Sequence, residues 1–127
     1  MRHIAICCFV WLLVLLPSAS RAQGPPGSEL LRACGAAQKQ SDGIKISDEE
    51  AIGSIYCIGY ISGFLDSLAL SSAASGGGQK ICLPQRGITN DQAVRVLVKF
   101  LRENPQTLHE SGRMSLYIAL ARTFPCR

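Results

Sequence analysis

Four cysteines, Cys34, Cys57, Cys82 and Cys126, are the residues best equipped for chemistry in this chain of 127 residues, and their spacing decides which chemistry. Protein zinc sites draw their thiolates largely from C-x-x-C pairs, and these four contain none, so no metal is expected. A Cys/His hydrolase needs a reduced thiolate within hydrogen-bonding reach of an imidazole. Beyond the first 22 residues the histidine on offer is His109, with Glu110 adjacent to it rather than on its own helical face. Four widely separated cysteines read instead as two disulfides, each contributing about 2 to 4 kcal/mol. Three pairings are open to them. Cys34 with Cys57 is favoured because it would link two antiparallel helices, and Cys82 with Cys126 because it would tie the last residues to a loop.

The remaining polar candidates have structural duties that account for them. Asp48, Glu49 and Glu50 stand at a helix start, where capping and the positive end of the helix dipole use carboxylates. Asp66 interrupts an apolar stretch after Phe64 and Leu65, and is expected to be partly buried and hydrogen-bonded to a neighbouring helix start. Gly76-Gly77-Gly78 lacks the lysine and hydroxyl of a nucleotide-binding loop. No catalytic residue and no cofactor is expected, and the chain reads as a binding protein.

These residues sit in a chain that begins as exported proteins do. Arg2, the apolar run Ile4 to Leu16, Pro17 and the small-residue ending Ser20-Arg21-Ala22 have the layout of a secretory signal, with cleavage expected before Gln23. The apolar run is shorter than the roughly 20 residues of a membrane span, and nothing after it is expected to be long enough. No stable span is therefore expected once the signal is gone, and the domain, residues 23–127, should be periplasmic. Cys7 and Cys8 leave with the signal as small hydrophobes. Arg2 and Arg21 leave too, which lowers the formal charge from +4 to about +2, too weak and dispersed for nucleic acid. A single domain of this size buries roughly 60 to 70% of its unfolded surface, so cross-links in an oxidising compartment are a useful supplement.

The patterning predicts an all-α bundle of about four main helices. A short first helix capped by Ser28 carries Leu30, Leu31 and Cys34, and Gln38 to Lys45 should be a loop turning at Ser41-Asp42-Gly43. Ser47-Asp48-Glu49-Glu50 is a capping box with Ile46 before it, and opens a helix that is apolar nearly all round from Ala51 to Leu70. Such a helix is expected to be packed on most of its faces and to form the core. Gly59 and Gly63 share a face, where another helix of the same chain should approach closely. Ser71 to Lys80 is small and flexible in composition. A second capping box, Thr89-Asn90-Asp91-Gln92, opens a third helix with Val94, Leu97, Val98 and Leu101 inward and a basic stripe, Arg95, Lys99 and Arg102, on the opposite side, expected to be a solvated face rather than a partner-binding one. Asn104-Pro105 should end it and start a fourth, bearing His109 early and Leu108, Leu116, Tyr117, Ile118 and Leu120 on its buried face.

Leu30-Leu31 with Cys34, the run Cys57-Ile58-Gly59-Tyr60-Ile61-Ser62-Gly63-Phe64-Leu65-Asp66, Cys82-Leu83-Pro84, Thr89 with Gln92, Leu101, Asn104-Pro105, Leu108-His109, Ala119-Leu120 and Phe124-Pro125-Cys126 occur in an order and spacing that resembles the Rap/Tai family of immunity proteins. Gly112 departs from the alanine usual there in the family, a change expected to loosen the last helix. The resemblance implies an exported helical domain, often a homodimer, that binds a peptidoglycan amidase delivered by type VI secretion and blocks its active-site groove. Ser75, Gly76, Gly77, Gly78 and Gln79 are the candidate contact residues. The competing readings are a periplasmic chaperone and a relative that keeps the scaffold without an effector.

Overall fold

The computed structural model describes residues 24–75 and 80–126, and the expected signal, residues 1–22, lies outside them. Four α-helices follow in order: α1 (Gly27–Ser41), α2 (Asp48–Ser75), α3 (Asn90–Glu103) and α4 (Gly112–Thr123), with a 3-10 turn at Pro105–Thr107. The described residues contain no strand, only two isolated bridges, Pro26 with Ser111 and Ile81 with Pro125. The all-α bundle expected from the patterning is the observed architecture.

Both capping boxes form. The Ser47 amide donates to the Glu50 carboxylate (3.1 Å) and the Glu50 amide to the Ser47 hydroxyl (3.2 Å). Thr89 and Gln92 make the same reciprocal pair at 2.9 and 3.1 Å. Each box satisfies amides that the first helical turn leaves without a partner.

α1 is longer than expected and starts differently. Pro26 precedes it, no side chain caps it, and its leading amides are satisfied from far along the chain: Gly27 N donates to Glu110 O (2.9 Å) and Ser28 N to Leu108 O (2.8 Å). The Ser28 cap is thus replaced by backbone carbonyls. Gln38 to Ser41 belong to the helix rather than to a loop, because the chain turns only at Gly43, whose φ of +74° suits glycine.

α1 and α3 supply most of the core. Leu30, Ala33, Cys34, Ala36 and Ala37 of α1 meet Ala93, Val94, Leu97, Val98, Phe100 and Leu101 of α3, with Leu116, Ala119 and Leu120 of α4 beneath. α2 contributes only Cys57 and Ile61 to the buried apolar set, so its expected place as the core element is corrected. Length explains this: 28 residues span about 42 Å, whereas its partners of 15, 14 and 12 residues reach only about 18 to 23 Å.

The region before α4 also differs from expectation. Asn104 Nδ2 donates back to Phe100 O (2.7 Å) and closes α3, and only the short turn Pro105–Thr107 follows. Leu108 and Glu110 turn their carbonyls toward α1, so His109 lies in a turn rather than in the last helix. Leu116 and Leu120 of α4 are buried, while Leu108, Tyr117 and Ile118 are half-buried against the core.

Candidate partner-binding surface

The sequence marks four cysteines, and the structure joins them as favoured: Cys34 with Cys57, across α1 and α2, and Cys82 with Cys126. The first bond is wholly buried in the core cluster. The second fastens the return segment after α2 to the chain end, where Cys82 N also donates to Phe124 O (2.9 Å) and Ile81 is buried. All four thiols are consumed, so none faces His109. That histidine is exposed in a shallow depression with Gly24, Pro26, Glu110, Ser111 and Arg113. Among the described residues no cluster of His, Cys, Asp and Glu could hold a metal ion.

The basic stripe on α3 is partly consumed by structure. Arg95 donates to Asp91 (2.8 Å) and to Asp42 (2.6 Å), tying the end of α1 to the start of α3. These carboxylates raise its already high pKa further, and Arg95 in turn holds the Asp91 carboxyl below its ordinary value. Lys99 lies 3.9 Å from Glu103. Asp66, expected to be buried and bonded, is exposed on α2.

Among the described residues, most of the exposed large apolar side chains, Ile52, Ile55, Tyr56, Ile58 and Leu70, lie on α2. Successive helical residues advance by about 100°, which separates its residues into two opposed stripes. Ser54, Cys57, Ile61, Phe64, Leu65 and Leu68 face the body: the first three are buried and the others pack against the core. Further bonds hold this side in register, Ser54 Oγ to Gln40 Oε1 (2.6 Å) and Asn90 Nδ2 to Ser62 Oγ (2.8 Å). Opposite lie Ile52, Ile55, Tyr56, Gly59, Gly63, Asp66 and Leu70. Ile52 is 70%, Ile55 73% and Leu70 73% exposed. From Ala51 to Leu65 the helix carries no Asp, Glu, Lys, Arg or His.

Gly59 and Gly63 face open space on this outer side, so the close approach expected there does not occur among the described residues. It occurs at Gly53, where an added Cβ would stand 3.5 Å from Ala33 Cα. Tyr56 and Tyr60 tilt against each other with ring centroids 6.2 Å apart. Burial, more than the neighbouring ring, raises the Tyr60 phenol pKa, and Arg113 offsets part of that; both tyrosines therefore offer neutral hydroxyls at physiological pH.

By length and composition alone, residues 48–74 could cross a membrane, which corrects the expectation that nothing after the signal is long enough. The apolarity encircles the helix because one stripe packs on α1 and α3 while the other is uncovered. Sequence reasoning missed this outer stripe. Its signal was available in the spacing of Ile52, Ile55, Tyr56, Gly59 and Gly63, which is that of one helix face. Of the proposed contact segment, Ser75 is the last residue of α2, and Gly76, Gly77, Gly78 and Gln79 lie outside the described residues.

A family profile described as Rap1a immunity proteins matches residues 26–126, covering all four helices and both disulfides. The chain belongs to the Rap1a immunity protein family. Membership implies a type VI effector immunity protein, and the helical body with its paired cysteines is the form in which this Rap1a member presents its surfaces. Neither the curated proteins nor the solved structures with which the Rap1a member was compared contain a match.

Proposed function

We propose that this protein neutralises a peptidoglycan amidase effector in the periplasm by covering its active-site groove, with residues 1–22 acting as the export signal and 23–127 as the inhibitory domain. Family membership over residues 26–126 carries the reading. Disulfides persist in oxidising compartments, and two of them brace this body. A rigid body suits inhibition, since a preorganised surface loses little entropy on binding. The residues proposed to enter the groove are Ser75, Gly76, Gly77, Gly78 and Gln79, which follow the exposed last turns of α2.

The outer face of α2 is proposed to be closed by a second copy of the chain. An isologous interface must tolerate itself, and the part of this face from Ala51 to Leu65, which carries no charge, does so. Antiparallel pairing about a twofold axis at Gly59 places Ile55 of each copy over Gly63 of the other, a bulky residue over open backbone. Parallel pairing would align Asp66 with Asp66 and the Asp48–Glu50 clusters with each other. The stripe from Ile52 to Leu70 is about 27 Å long.

Co-expression in the periplasm with an amidase effector encoded nearby tests the inhibitory role. Protection from lysis and a copurifying complex are expected. Unchanged lysis with no complex rejects the role, and suppression of client aggregation without amidase binding would support the chaperone reading instead.

A further inference from the structure

The two disulfides differ in their surroundings more than in anything else. Cys34 and Cys57 are both fully buried, between the two helices that share the most extensive contact in the bundle. Reaching that bond requires α1 and α2 to separate. Cys82 is exposed and Cys126 half-buried, and neither lies in a helix. The segment they fasten is thin: Cys82 N bonds to Phe124 O, Ile81 bridges to Pro125, and a turn follows in which Gly87 N donates to Pro84 O (2.7 Å). Ile81 is buried beside this bond, and Leu83 and Phe124 are half-buried against the core.

We propose that Cys82–Cys126 is a thiol-exchange site, a latch that a low-molecular-weight thiol opens while the four helices remain folded. Exchange rates follow access to the sulfur as well as thiolate chemistry. Attack comes at Cys82 Sγ, the more exposed partner. The S–S bond breaks, a mixed disulfide forms on Cys82, and Cys126 leaves as a thiolate that takes a proton from solvent. A second thiol attacks the mixed disulfide, releasing Cys82 as a thiolate and the two reagent thiols as their own disulfide, so two electrons pass from reagent to protein. The opened latch frees the chain end after Thr123 and loosens Cys82 and Leu83. Ile81 stays seated in the core, while neither Phe124 nor Leu83 is more than half-buried, so little apolar packing opposes release of the chain end. The inference does not depend on the immunity reading.

The test is timed exposure of the oxidised mature protein to reduced glutathione, with acid quenching, alkylation and peptide mass analysis. Cys82 and Cys126 are expected to be labelled at least about tenfold faster than Cys34 and Cys57, with far-UV circular dichroism unchanged while the first pair reacts. Equal labelling rates, prior labelling of Cys34 and Cys57, or loss of helical signal in step with Cys82 labelling would each overturn the latch. The double variant Cys82→Ser, Cys126→Ser provides a second readout. It is expected to retain the helical spectrum and the Cys34–Cys57 bond, and its failure to fold would equally refute a separable latch.

Discussion

Gly112 and Leu30 stand so close that a Cβ on the glycine would lie 2.5 Å from Leu30 Cδ1 and 2.8 Å from the carbonyl oxygen of Pro25. The same glycine donates its amide to that carbonyl, which locks the start of α4 to the entry of α1. Leu30 is fully buried and cannot swing away. An alanine at position 112 therefore cannot simply be accommodated, and the glycine permits a tight junction between the two helices. Gly112→Ala is expected to destabilise the fold by about 1 to 3 kcal/mol, read as a lower urea midpoint with an unchanged slope.

Glycines in open positions should behave oppositely. Gly35 meets nothing within 4 Å, and neither do Gly59 and Gly63. Replacing Gly35 by alanine should raise stability by about 0.5 to 1 kcal/mol, since a helix interior favours alanine. Gly59→Ala and Gly63→Ala should do the same for the dilute protein. If α2 pairs with α2, these two should weaken self-association, which sedimentation equilibrium would detect as a raised dissociation constant.

Ile55→Asp examines the same face without touching the core, because Ile55 is mostly exposed. The variant is expected to remain monomeric at concentrations where the parent dimerises, with the thermal midpoint at high dilution nearly unchanged. A parent that light scattering finds monomeric at every concentration would remove the dimer.

Acid stability has a defined sign. A hydrogen bond from Lys39, with a smaller one from the Ser47 amide, holds the Glu50 carboxyl below its ordinary value of 4.5. The bond from Arg95 holds Asp91 below 3.8. Folded-state values below unfolded ones mean that the stabilisation is complete above the ordinary range and is lost as pH falls through the lowered values. The melting midpoint should be level above about pH 5 and decline below about pH 4. Glu50→Gln with Asp91→Asn should flatten part of that decline; the effect is small because these side chains are well solvated.

The Thr89 cap offers a local test. Thr89→Ala removes the acceptor for Gln92 N and should cost about 1 kcal/mol, with hydrogen exchange quickening first at the opening turn of α3.

What could be read in the sequence was what depends on neighbours along the chain. Ser47 with Glu50 and Thr89 with Gln92 are spaced by one helical turn, so their bonds are implied by residue type alone. The inward set Val94, Leu97, Val98 and Leu101 is periodic on one face and is buried as expected. What could not be read depends on distant partners. The turn around His109 exists because Leu108 and Glu110 are drawn to Ser28 and Gly27, a relation between residues some eighty positions apart. An all-round apolar helix likewise looks buried until the lengths of its partners are known, and α2 outruns all of them.

Among the described cysteines the pairing joins neighbours in chain order, Cys34 with Cys57 and Cys82 with Cys126, with no crossing. A polypeptide that emerges amino end first can therefore be oxidised as it appears: Cys34 meets Cys57 before Cys82 is present to compete, and Cys126 completes the set last. Oxidation in order of arrival would give this connectivity with no exchange between the two bonds.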